Sequence, residues 1–398
     1  MDQVKDQYEA FPYPERDPAE EARRLVTGSP SHPLEIDHFV FGGRRDWSQP
    51  LRVLVAGGGT GDGLIQIAAL MAQAKRPCEI TYVDLSRAAR GVAEARARAR
   101  GLEETITFHT GSLLEAPRMG PFDYIDCCGV LHHLPEPEAG FRALRAALAP
   151  GGGMGFMVYA PYGRSGVYPL QAAFGALFGD LPPRDRLRQA REVFERVPDN
   201  HPFKCNPNVN DHENGDAGFY DLLLHSQDRA YDVAQLLDTL AATGWALSGF
   251  TLPAIYDLGR FMDPPAEMPQ ARAMALAEQL NGTIRTHTAY AVAADEARGP
   301  ARGSNRALVP HLKGVRARDL AGATARGQGV KVESNGLTDR IALPVEAAPL
   351  IAGIDGRRSL GQIAAQAGMD PIGMGALWSR VEAQLLPWGM LLYSDLLR

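Results

Sequence analysis

The sequence predicts an α/β chain, in which a mainly parallel sheet carries helices on both faces, helical and lid insertions, and a small α+β domain at its C-terminal end. Three observations carry this. Between residues 51 and 160, apolar runs alternate with helical patterns, the mark of a parallel sheet covered on both sides. The first run, Leu51-Arg-Val-Leu-Val-Ala56, ends in Gly57-Gly-Gly-Thr-Gly61. The second, Ile80-Thr-Tyr-Val-Asp84, stops at a single acid.

Residues 1–50 read as an N-terminal arm. Phe11-Pro-Tyr-Pro14 cannot be helix interior, because each proline restricts the residue before it. A short helical pattern follows near Glu20–Val26, then an extended His38-Phe-Val-Phe41. Strands are expected near 51–56, 79–84, 105–109, 122–128 and 153–159, and helices near 61–74, 86–100 and 136–148. Residues 161–244 break the alternation. Helices near 167–178 and 184–196 lead into a polar stretch, 198–216, long enough to be a lid or binding loop. Helices near 218–225 and 232–243 follow, and Trp245–Leu252 and His287–Ala293 read as paired strands. Gly299–Gly329, rich in Gly, Ala and Arg, reads as a linker. In 330–398, helices over Pro344–Ile354, Ser359–Ala367 and Ile372–Leu385 and a strand over Trp388–Tyr393 suggest a separate winged-helix-like module.

With 398 residues, 45% apolar and 22% charged, the chain has the composition of an ordinary globular protein. A formal net charge of -6 gives no overall electrostatic footprint for nucleic acid. No run approaches the ~20 apolar residues that span a bilayer, and Met-Asp-Gln-Val-Lys lacks the features of a signal peptide. Cys78, Cys127, Cys128 and Cys205 form no C-x-x-C pair. A cytoplasmic location is therefore expected, with neither membrane nor nucleic acid as partner.

The glycine turn and the acid after the second strand describe a grip on an adenosine-containing cofactor, the acid accepting from ribose hydroxyls. The dinucleotide fingerprint is G-x-G-x-x-G. Here the spacing is G-x-G-x-G, and Asp62 stands where the third glycine would fall. An acid beside that turn opposes a pyrophosphate at a helix N-terminus. It suits the ammonium of S-adenosyl-L-methionine, with S-adenosyl-L-homocysteine as product.

Val53-Leu-Val-Ala-Gly-Gly-Gly-Thr-Gly61, Tyr82-Val-Asp-Leu-Ser86, Phe122-Asp-Tyr-Ile-Asp-Cys-Cys-Gly-Val-Leu-His-His-Leu134 and Leu148-Ala-Pro-Gly-Gly152 resemble, in order and spacing, the motifs of class I S-adenosylmethionine-dependent methyltransferases. Tyr8-Glu-Ala-Phe-Pro-Tyr-Pro14, Phe41-Gly-Gly-Arg-Arg45 and Asp221-Leu-Leu-Leu-His-Ser-Gln-Asp-Arg229 resemble a smaller bacterial subgroup. The resemblance implies a Rossmann-like seven-stranded sheet over residues 51–298, its last strand antiparallel, with 161–244 and 256–285 as insertions. It implies cofactor contacts from Gly57, Gly58, Gly59, Thr60, Gly61, Asp62, Asp84, Leu85, Ser112, Leu113, Cys128 and Gly129, and from Tyr13 on an arm folded over the cofactor. Two positions depart from the family, which usually has acids where Val55 and Ser112 stand. The Ser112 hydroxyl can still accept a hydrogen bond.

Methyl transfer needs an aligned nucleophile, exclusion of water and, for a protonated nucleophile, a base. Candidates follow strands four and five: His133 ahead of His132, then Tyr159, Tyr162 and Arg164, the last as a clamp for a carboxylate or phosphate. In the polar stretch, Asp211 and His212 read as a general-base pair, and Asp216 could join them on a metal. No metal is expected. Asp221 and His225 share a helix face and either line the pocket or solvate the helix. The expected function is metal-independent methyl transfer to a protein, peptide or carrier-linked acceptor. The alternatives are a small-metabolite methyltransferase, a non-catalytic cofactor-binding regulator and, against the glycine spacing, an NAD-dependent oxidoreductase. The arm and C-terminal module leave a homodimer open.

Overall fold

A computed structural model describes residues 2–398. Seven strands form the central sheet: β1 (Leu51–Ala56), β2 (Cys78–Asp84), β3 (Ile106–Thr110), β4 (Phe122–Cys128), β5 (Leu148–Tyr159), β6 (Trp245–Phe250) and β7 (Thr286–Ala293). Their order is β3-β2-β1-β4-β5-β7-β6. β1 to β5 are parallel, while β7 runs antiparallel to β5 and β6. This is the Rossmann-like arrangement expected. Alternation along β1 feeds two cores: Leu54 joins Ile125, Phe156 and Trp245 on one face, and Val53 and Val55 join Tyr82, Tyr124 and Leu64 on the other. With both faces covered, β1 can be apolar throughout.

Helices Asp62–Gln73, Arg87–Ala99 and Pro137–Ala146 connect the parallel strands. Ser86 starts the second by accepting from Ala89 N. The insertion between β5 and β6 contains helices Val167–Phe178, Pro183–Phe194, Gly215–Leu223 and Val233–Ala242. Among the described residues, no helix is long and apolar enough to cross a membrane.

The arm differs from expectation. It begins with a helix that was not expected, Asp2–Ala10, and only a 3-10 turn, Pro18–Ala22, lies near the helix expected at Glu20–Val26. The run read as extended, His38–Phe41, lies almost wholly within a helix, Pro33–Val40. Pro33 and the His32 ring, which accepts from Leu34 N, set its start. This helix is buried on nearly every side, so its sequence shows no amphipathic period.

Ionic contacts close the arm over the sheet. Arg96 is buried and donates to Glu21 at 2.6 Å, to Asp62 at 2.7 Å and to Thr60 O at 2.8 Å. Arg100 also pairs with Glu21, and Arg16 donates twice to Asp62, at 2.9 and 2.6 Å. Glu21→Ala would leave Arg96 with its buried charge only partly answered. We expect a loss of about 3–5 kcal/mol, measured by urea unfolding, with Arg16→Ala at the half-exposed end of the network costing far less.

Residues 299–329 are not the loose linker expected. They contain a short strand, β8 (Pro310–Leu312), and a helix, Ala317–Ala325. Ala301, Leu308, Leu320 and Ala321 share a core with Leu350, Ile363, Trp378 and Val381. Small residues pack closely here, although their composition resembles that of a linker. A hairpin, β9 (Val330–Ser334) and β10 (Leu337–Ile341), precedes helices Ala348–Ala352, Leu360–Gln366 and Pro371–Leu385, and β11 (Leu391–Tyr393) pairs with β8. Asp37 ties this unit to the arm, accepting from Trp47 Nε1 at 3.0 Å, Ser394 Oγ at 2.7 Å and Asp395 N at 3.0 Å.

Candidate functional site

The carboxyl ends of the parallel strands open into a cavity of about 550 Å³, within the range of small-molecule sites. At one end lies the glycine turn. Gly57 has φ +69°, and a Cβ there would sit 2.5 Å from Val130 Cγ2, so only glycine fits. Asp84, at the end of β2, organises this turn. Its Oδ2 accepts from Gly59 N and its Oδ1 from Ser86 N, both at 2.8 Å. Burial pushes its pKa up, although those two N–H groups favour the charge. Each oxygen keeps a lone pair for a ligand hydroxyl.

Gly57, Gly58, Gly59, Asp62, Asp84, Leu85, Ser112, Leu113, Cys128, Gly129 and Tyr13 all line the cavity. Thr60 and Gly61 do not appear in its wall. Thr60 is fully buried and donates to Pro14 O at 2.6 Å, so it anchors the arm. Gly61 precedes the first turn of helix Asp62–Gln73. Ser112 Oγ accepts from Leu114 N at 3.2 Å and keeps further capacity. Cys128 is exposed at the cavity wall, and the crowding of the site raises its thiol pKa, which favours the thiol form.

Asp62 does not present the free charge expected of it. Burial opposes its ionisation, but Arg16 and Arg96 hold its pKa below the ordinary carboxylate value. Its charge is already answered by two guanidiniums. A different acid was overlooked. Asp126, within β4, is 2% exposed, lines the cavity, and its Oδ2 has no hydrogen-bond partner. Burial pushes its pKa up to about 6. The available signal was a charge inside an otherwise buried strand, which is rare without a purpose.

A stability prediction follows from this shift. A folded-state pKa above the unfolded value makes the native state hold the extra proton between about pH 4 and 6. Asp126 then contributes stability at low pH that is lost as pH rises through 6. Asp126→Asn should be more stable than the parent by up to ~3 kcal/mol at pH 7. The gap should close below pH 4 in paired denaturant titrations.

At the other end of the cavity lies a polar cluster. Tyr8 and Tyr159 donate to the two oxygens of Asp221, at 3.0 and 3.2 Å. Tyr8 also meets His225 Nε2 at 3.3 Å. The His133 and His225 rings stack with centroids 3.7 Å apart. Gln227 fixes both tautomers. Its N–H donates to His225 Nδ1 at 3.1 Å, so the His225 proton sits on Nε2 and points to Tyr8. Its carbonyl lies 2.8 Å from His133 Nδ1 and can only accept, so His133 is protonated on Nδ1 and keeps Nε2 as a free acceptor. Burial lowers the His225 pKa and raises those of Asp221, Tyr8 and Tyr159.

The other expected residues fare unevenly. Arg164 lines the cavity, but its fork is engaged by Asp228 at 3.0 Å and the Tyr168 hydroxyl at 3.1 Å, and it lies 3.6 Å from the Tyr159 ring centroid. Its Nε and Nη2 are thus held within the chain, and the guanidinium braces the Tyr159 ring. Tyr162, in a 3-10 turn, does not line the cavity. Asp211 does, whereas His212 packs edge-on against Phe194 and Phe203 in a separate surface hollow, so the two form no base pair. Asp216 pairs with Arg191. His132 stacks on Tyr159 with both ring nitrogens unpartnered. The His, Cys, Asp and Glu side chains that do converge, among the described residues, are His133, Asp221 and His225, with ligand atoms within 4.8 Å of one another.

Residues 54–154 match the family model described as a methyltransferase domain. An uncharacterised protein, syc1184_c, of Synechococcus sp. is 31% identical over 249 residues, covering 61% of this chain and 58% of its own length. The chain thus spans less than two thirds of that relative. A ubiquinone biosynthesis O-methyltransferase of Azoarcus sp. is 31% identical over 98 residues, covering 25% of this chain and 40% of that protein. Among solved structures, PKMT2 from Rickettsia typhi in complex with AdoHcy has the same fold, with a TM-score of 0.57 at 13% identity, covering 94% of this chain and 76% of that one. Residues 54–154, which supply much of the cavity wall, are thus similar to a methyltransferase domain.

Proposed function

We propose that the chain is an S-adenosylmethionine-dependent methyltransferase acting on an acceptor that brings a protonated nucleophile. The observation carrying this is Asp84, held by Gly59 N and Ser86 N at the strand end with acceptor capacity toward the cavity. Ribose hydroxyls can donate to it, with the adenine beside Leu85, Ser112 and Leu113 and the amino-acid tail by the glycine turn. The cofactor supplies an activated methyl group. The AdoHcy bound by the Rickettsia protein supports the same ligand here.

The chain's own residues complete the site. His133 Nε2 would take the proton from the acceptor's nucleophile, and the bound cofactor would supply the methyl group that replaces it. The Tyr8–Asp221–Tyr159 bonds hold the wall beside His133. Oxygen is the acceptor atom named for the Azoarcus relative. The helical insertion and C-terminal unit favour an acceptor carried on a protein, peptide or carrier. The reading calls on no metal: Tyr8 and Tyr159 occupy the two Asp221 oxygens and Tyr8 meets His225 Nε2 within the cluster. The pure protein, pre-treated with chelator, should move label from methyl-labelled S-adenosylmethionine into a host lysate. Binding of the cofactor with no transfer to any fraction would refute catalysis.

A further inference from the structure

One part of the cavity wall is used by nothing described so far. Gly28, Ser31, Gly63, Gln66 and Asp126 belong to it, with Gly63 against Ser31 and Asp126 and Gln66 bonded to Gly28. Asp126 Oδ2 is buried and unpartnered there. Burial raises its pKa and outweighs the Ser31 and Tyr124 hydroxyls, which favour its charge. The arginines that line the cavity are bonded elsewhere: Arg16 to Asp62, Arg164 to Asp228 and Arg285 to Asn208 O. A buried carboxylate with an empty acceptor site facing a cavity calls for a cation from the ligand.

Position narrows the kind of cation. Asp126 is the register neighbour of Val55, the next-to-last residue of β1 before the glycine turn. Val55 is also where the resembled family usually has an acid. A cation at this depth lies near the N-terminus of helix Asp62–Gln73, where the helix dipole repels it. Asp62 cannot offset that repulsion, since Arg16 and Arg96 already neutralise it. Space is kept open by Gly63. A Cβ there would fall 2.6 Å from Ser31 Oγ and 3.1 Å from Asp126 Oδ1.

We propose that Asp126 is the counter-ion of the α-ammonium group on the amino-acid tail of the methyl donor, a role that rests on the cofactor reading above. The ammonium donates to Asp126 Oδ2 and the Ser31 hydroxyl accepts a second proton. This fixes the tail, and so the direction in which the sulfur points.

Calorimetry with two ligands tests this. S-adenosylhomocysteine carries the ammonium; 5′-methylthioadenosine has the same adenosyl thioether without it. The parent should bind the first more tightly. Asp126→Asn, nearly isosteric, should weaken S-adenosylhomocysteine by on the order of 10- to 100-fold and leave methylthioadenosine unchanged. Gly63→Ala, with Asp126 intact, should show the same selective loss. Asp84→Asn should weaken both ligands alike. Unchanged S-adenosylhomocysteine affinity in Asp126→Asn, or an equal loss of both ligands, would overturn the role. A parent that binds both equally tightly would overturn it while the cofactor reading stands. A parent that binds neither would remove both.

Discussion

Asp84→Ala should lower the affinity for S-adenosylhomocysteine by at least on the order of 100-fold. Two charge-assisted hydrogen bonds to a ribose are worth ~1.5–3 kcal/mol each, and the variant loses both. It also frees Gly59 N and Ser86 N, which Asp84 holds at 2.8 Å, so the turn that faces the ligand loses its anchor. Asp84→Asn keeps one acceptor oxygen and should fall between. The Tyr82 hydroxyl still donates to Gly59 O at 2.6 Å, so the loop itself survives. Calorimetric titration reads the loss, and circular dichroism confirms the fold. Affinity within error of the parent would mean that the ribose lies elsewhere.

His133→Ala should cut methyl transfer ~10²–10³-fold, the usual contribution of a positioned base. S-adenosylhomocysteine affinity should hold within a factor of about two, as for a group that acts on the acceptor. The reason is geometric. The Gln227 carbonyl takes the Nδ1 proton of His133 at 2.8 Å, leaving Nε2 as the base. His225, turned the other way by the same residue's N–H, cannot substitute for it. Added imidazole should restore part of the rate to the alanine variant. Label incorporation from methyl-labelled cofactor measures this. Full activity in His133→Ala would assign proton removal to another group or to none.

The cofactor half was the more legible in sequence, because it is built from local features. Clustered glycines, the acid closing β2 and Ser112-Leu113 after β3 each carry their meaning within a few residues. The acceptor half depends on contacts across the chain. Tyr8 reaches Asp221 over 213 residues, and no spacing rule foretells that. Asp62 was misjudged for the same reason: its arginines lie 46 and 34 residues away, so the acid looked free. Arg164 reads in sequence as a clamp for a carboxylate, and a carboxylate it meets is Asp228, inside the chain. Tyr162 is nearer to Arg164 in sequence than Tyr168, yet it is Tyr168, in the first turn of helix Val167–Phe178, that meets the guanidinium. In the arm, helix Pro33–Val40 was hidden because burial on nearly all sides removes the polar face that would give it a period.

A crystal structure with S-adenosylhomocysteine tests the central claim most directly. The ribose hydroxyls should donate to Asp84, the amino-acid tail should run past the glycine turn toward Asp126, and the sulfur should face His133 and Tyr159. A pyrophosphate settling across Gly57–Gly59 when dinucleotides are offered, or an adenosyl group bound away from Asp84, would contradict it.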